Sequence, residues 1–129
     1  KPGGLLVICS FDWVPTPGNV VEATERLIEK HNPAWEMGGG SGLHPEFNDH
    51  LKQGGFVCIR SEAVPIMTSY SHEDWRGRIR ASAGVGASLS PDKVEEFDRE
   101  LELLLLNQFP SDPLRVPHCL YVAVGRKPD

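Results

Sequence analysis

The order of apolar segments predicts an α/β domain, a three-stranded mixed sheet flanked by helices. Three observations carry that prediction. Leu5 to Ser10 is apolar at consecutive positions, the pattern of a strand covered on both faces. Val20, Thr24, Leu27, Ile28 and His31 recur at helical spacing. Phe56–Val64 and His118–Arg126 read as two further strands, giving the order strand, helix, helix, strand, helix, helix, strand.

Each element has a local reason. Phe11-Asp12-Trp13 leaves the first strand, and Pro15-Thr16-Pro17-Gly18 makes a turn. Asn19 suits the N-cap of the first helix, with Glu22 three residues on to close a capping box, and Asn32-Pro33 ends it. Ala34 to Leu43 is a loop holding Trp35, Met37 and the run Gly38-Gly39-Gly40-Ser41-Gly42. His44-Pro45-Glu46 starts a short helix with Phe47 and Leu51 inward, stopped by Gly54-Gly55. The second strand opens with both faces apolar, and Pro65 argues against a central place for its far end. Ser71 caps a helix with acids in its first turn. Ser90-Pro91-Asp92 opens the longest helix, with Val94, Phe97, Leu101, Leu104 and Gln108 on one stripe. In the last strand Leu120, Val122 and Val124 face one way and Cys119, Tyr121 and Ala123 the other.

Composition narrows the function classes. The 129 residues carry 13 basic and 18 acidic side chains, a net charge of -5. That balance argues against nucleic acid and anionic membrane surfaces as partners. The apolar runs are too short to span a bilayer, which takes about 20 residues. Three scattered cysteines (Cys9, Cys58 and Cys119) read as reduced, buried thiols on three neighbouring strands, which points to a cytoplasmic setting. His44 and His50 are six apart and share no helical face, so no metal site is expected. The chain opens in a turn directly before a strand, with no targeting pattern, and reads as cut from something longer. The first strand is expected to keep one edge unpaired.

The turn Lys1-Pro2-Gly3-Gly4 and the strand Leu5-Leu6-Val7-Ile8 resemble the turn and fifth strand of class I S-adenosylmethionine-dependent methyltransferases. Pro117 to Arg126 resembles the final strand of that fold, which inserts antiparallel beside the fifth. Asp74 to Ala87, and Asn32-Pro33-Ala34-Trp35 with the following glycines, are similar to a bacterial-type subgroup acting on small molecules. The resemblance covers nearly all of the chain but only the C-terminal half of the Rossmann-like domain. It implies that residues 1–129 are a single partial domain, the substrate-side portion of the enzyme and inactive alone. The family's Gly-rich cofactor loop follows a strand, whereas Gly38 to Gly42 follows a helix and a loop. S-adenosylmethionine is therefore expected as cofactor of the complete enzyme, with no cofactor-binding residue assigned to this chain alone.

The resemblance also implies where a small-molecule methyl acceptor would lie. Ligands of open α/β sheets sit beyond the carboxyl ends of strands. Asp12, at that end of the first strand, is suited to accept a substrate proton, and Trp13 to wall the pocket or face the sulfonium. Trp75, Arg76 and Arg80 fall on the helix that the family uses as a substrate cover. Arg76 and Arg80 share a face and are suited to clamp an anion, while Arg78 points elsewhere. Trp35, Met37 and Tyr70 complete the expected apolar walls. The competing expectation is a non-catalytic, truncated or split module that pairs its open strand edge with a missing N-terminal half, a partner chain or itself. A phosphate-binding enzyme built on the glycine run lacks the strand context.

Overall fold

The computed structural model describes residues 1–129. It is α/β, with a three-stranded sheet and four helices. The chain order is β1 (Leu5–Trp13), α1 (Val20–His31), α2 (Glu46–Gln53), β2 (Val57–Tyr70), α3 (His72–Arg80), α4 (Pro91–Gln108) and β3 (Leu114–Arg126). No helix is long and apolar enough to cross a membrane.

The sheet is antiparallel throughout rather than mixed. Its order is β1-β3-β2, and the last strand runs antiparallel to both neighbours. β3 is central because it alone pairs on both edges, from Leu5 opposite Arg126 to Trp13 opposite His118, and from Tyr70 opposite Leu114 to Val57 opposite Arg126. β2 is longer than expected and includes Pro65, which an edge strand tolerates because its missing N–H costs no ladder bond on the outer side. A register shift between Val57 and Arg60 puts Cys58 at φ 53°, a bulge that ends strict alternation at the start of β2.

Strand alternation sorts side chains to two unequal faces. Leu114, Val116 and His118 point into a core shared with α1, α3 and α4, where Trp75, Phe97, Ile28 and Leu101 are fully buried. Tyr121 and Ala123 point the other way, onto α2, where only Leu51 joins them in a small cluster with Phe47, Phe56 and Ile8 at its margin. The caps explain the helix starts. Asn19 Oδ1 accepts from the Glu22 N–H at 2.8 Å, and Ser71 Oγ accepts from the Asp74 N–H at 3.0 Å.

The expected burial of β1 and of the thiols does not hold. Leu5 is 70% exposed and Val7 55%, because no helix covers the amino-terminal half of the strand and its outer edge has no partner. Cys9, on that bare stretch, and Cys58, in the bulge, are exposed as well; only Cys119, on the central strand, is buried.

Candidate functional site

A cavity of about 370 Å³ opens at the carboxyl end of β1. Phe11, Asp12 and Trp13 form its floor, Trp35, Met37 and the segment Gly40–His44 wrap one side, and Arg78 with Ser82–Gly84 closes the other. The loop from α1 to α2 must pass from the deep face of the sheet to the shallow one, and it does so here. Gly84 lets it start: a Cβ there would sit 2.8 Å from Ile28 Cγ2 and 3.0 Å from Trp35 Nε1. Gly42 lets it land, at φ +74°, with its Cα so close to β3 that a Cβ would collide with Cys119.

Glu25 fastens loop and strand together. It is 6% exposed, and its carboxylate accepts from the Trp13 indole N–H at 2.9 Å and from the Gly39 N–H at 2.9 Å. Both oxygens of this buried acid are therefore satisfied, the usual condition for keeping a carboxylate inside. Trp13 in turn packs edge-on against Trp75, which anchors the wall to the core.

Asp12 points to the shallow face, where its Oδ2 meets His44 Nε2 at 2.5 Å. His44 Nδ1 meets Glu46 Oε1 at 2.8 Å, and the ring stacks on Phe47 with centroids 4.8 Å apart. With a carboxylate oxygen at each ring nitrogen, the arrangement favours the imidazolium form, which donates from both. Its pKa is raised, first by the hydrogen bond to Asp12 and then by that to Glu46. Glu46 is held below the usual carboxylate range by the backbone N–H of its own helix start and by His44. Asp12 Oδ1 has no hydrogen bond within the chain, so one oxygen of an oriented carboxylate is free for a ligand.

A second histidine lies under the opposite face. His118 is 2% exposed, stacked between Phe11 at 4.5 Å and Tyr70 at 5.8 Å. Its Nδ1 bonds the Val116 carbonyl at 3.1 Å and Nε2 has no partner. Burial lowers its pKa, so this ring is neutral.

Of the residues picked out from the sequence, Asp12, Trp13 and Trp35 line the cavity. Tyr70 stands behind it, with its ring 5.8 Å from the Arg78 guanidinium carbon. Trp75 is fully buried and gives its indole N–H to Thr24 Oγ1 at 3.1 Å, so it is a wall of the core and not of the cavity. Arg76 and Arg80 do not line the cavity. They turn to α4, where Arg76 forks onto Asp98 and reaches Glu102 at 2.7 Å, and Arg80 takes Asp98 at 2.7 Å and Glu73 at 2.8 Å. Burial raises the pKa of Asp98, but hydrogen bonds from both arginines outweigh it and hold the carboxyl below its usual range. Sequence reasoning missed His44, Glu46, Glu25 and Arg78. His44 directly before a helix-starting Pro-Glu was the one local signal; the other three are assembled by tertiary packing. No group of His, Cys, Asp and Glu is arranged to hold a metal ion.

No family model matches the chain, and no curated protein matches it. Among solved structures, the chain is similar to phospholethanolamine N-methyltransferase 2 of Haemonchus contortus in complex with phosphomonomethylethanolamine and S-adenosylhomocysteine, at 18% identity and a TM-score of 0.36. The match covers 100% of this chain and 27% of that one, so the chain spans about a quarter of the length of that protein.

Proposed function

We propose that residues 1–129 are the substrate-side part of an S-adenosylmethionine-dependent methyltransferase acting on a small molecule, and that the cavity at the end of β1 receives the methyl acceptor. The observation that carries this reading is Asp12. It lies one residue before the end of β1, lines the cavity, and is oriented through Oδ2 by His44, with Oδ1 unpartnered within the chain. The topology is in keeping with the resemblance drawn from Lys1-Pro2-Gly3-Gly4 and Pro117–Arg126: the last strand enters antiparallel beside the first. β1 keeps its outer edge open, on the side where a cofactor-binding half would pair.

In the complete enzyme S-adenosylmethionine would supply the methyl group. This chain's part is positioning: aromatic walls exclude water, and Asp12 Oδ1 accepts the hydrogen of the attacking hydroxyl or amine. Trp13, Trp35 and the free Asp12 oxygen set the acceptor's orientation, while Arg76 and Arg80 tie α3 to α4.

Calorimetric titration of S-adenosylmethionine tests the reading, first into the 129-residue chain and then into a version carrying the sequence upstream of Lys1. The expected result is no measurable heat of binding with the first and clear binding with the second. Tight binding by the short chain refutes the division of labour; no binding by either sinks the methyltransferase. A second reading, a non-catalytic module that pairs β1 with another chain or itself, is favoured by the bare edge and the exposed Leu5 and Val7. Failure of both titrations, with association detected by sedimentation, would put it ahead.

A further inference from the structure

Three arginines occupy alternate positions along α3, and two of them are fully engaged with α4 carboxylates. Arg78 projects from another side of the helix, because two residues advance the helix by about 200°. It lines the cavity and makes no hydrogen bond or ion pair, and its Nε is buried without a partner. Its guanidinium carbon lies 5.3 Å from the Trp13 ring centroid and 5.8 Å from that of Tyr70. Aromatic faces fix such a group while leaving its N–H edges free for an in-plane acceptor. The hydroxyl of Ser82, on the same side of the cavity, is likewise buried and unpartnered.

The surrounding charge says what kind of acceptor is wanted. His44 is taken up by Asp12 and Glu46, and Glu25 spends both oxygens on the neutral donors Trp13 and Gly39. Arg78 is the cationic side chain of the cavity that forms no ion pair. An acceptor group of a ligand therefore finds its partner in Arg78, whose guanidinium is not engaged within the chain.

We propose that Arg78 and Ser82 form an anion subsite, and that the cavity takes a small organic acid whose carboxylate lies on Arg78 and whose apolar body lies against Trp35 and Met37. Naming the methyl acceptor as a carboxylic acid rests on the functional reading above; the anion subsite itself does not.

The 129-residue chain is titrated with benzoate, benzamide and phenyl phosphate while its backbone amide resonances are followed. Benzoate is expected to shift the amides around Ser82–Gly84 and to bind about tenfold more tightly than benzamide, the loss typical of one charge-assisted pair. Arg78→Gln should erase that difference, and Arg78→Lys should restore only part of it. Equal affinity for acid and amide, or an acid preference that survives Arg78→Gln, overturns the subsite. Tighter binding of phenyl phosphate than of benzoate overturns the choice of carboxylate. If Arg78→Gln does not fold, the wild-type comparison of acid with amide still decides, and Ser82→Ala should weaken benzoate severalfold without touching benzamide. Because none of these titrations contains the methyl donor, benzoate binding alongside failed S-adenosylmethionine titrations would remove the enzyme reading and leave the subsite standing.

Discussion

The two faces of the sheet are built to different depths. On one, three helices close over twelve buried apolar residues; on the other, one eight-residue helix lays Leu51 against Tyr121 and Ala123. The candidate site sits where the faces meet, and each contributes what its depth permits. The deep face supplies rigid walls, through Trp13 on Trp75 and a neutral His118 under Phe11. The shallow face supplies an accessible histidine, since His44 remains 28% exposed on its side chain and sits between two carboxylates. The lesson is that two carboxylate hydrogen bonds push His44 up while burial pushes His118 down.

The largest break in this comparison should come from Trp75→Ala. It removes a fully buried indole and its hydrogen bond to Thr24, and should cost about 4 kcal/mol in urea unfolding. Leu51→Ala on the shallow face should cost less, about 2–3 kcal/mol, and hydrogen exchange should speed up in α2 while α4 amides stay protected. Equal losses, or equal exchange in both helices, would abolish the distinction between faces. Smaller again is Asp98→Asn, which leaves Arg76 and Arg80 sharing a neutral amide between α3 and α4; about 1–2 kcal/mol is expected from the same measurement.

The smallest effect is the most diagnostic, because its sign differs between faces. His44 has a raised folded pKa, so its stabilisation is complete below the ordinary 6.5 and is lost as pH rises through the higher folded value. His118 has a lowered folded pKa, so its contribution is present above 6.5 and is lost as pH falls toward the folded value. Unfolding free energy measured between pH 5 and 9 should therefore decline above 6.5 in the wild type, and His44→Gln should flatten that decline while leaving the acid limb alone. An unchanged alkaline slope in His44→Gln would mean that the two carboxylates do not hold the ring.

Much of the architecture could be read directly from the chain. Asn19, Ser71 and Pro91 mark helix starts through local backbone chemistry, which needs no distant partner. The misjudged burial of β1 has a different origin. Consecutive apolar residues report that a strand would profit from cover on both faces, not that the residues around it provide any. The mixed sheet failed for a related reason: pairing depends on where the last strand enters, and β3 took the centre. Site residues divide along the same line. Asp12 and Trp13 follow from position at a strand end, whereas the shared face of Arg76 and Arg80 says nothing of Asp98 opposite them. His44 lies 32 residues from Asp12, a separation that only the crossing loop closes.

Glu25 on α1, holding an indole with one oxygen and the glycine loop with the other, makes two distant segments report on each other. A molecule that lifts residues 38–40 must slacken the tether on Trp13, so the indole N–H resonance is a ready-made gauge of how the loop is seated. Replacing Glu25 with Gln would keep the shape but trade one acceptor for a donor, uncoupling the gauge from what it measures.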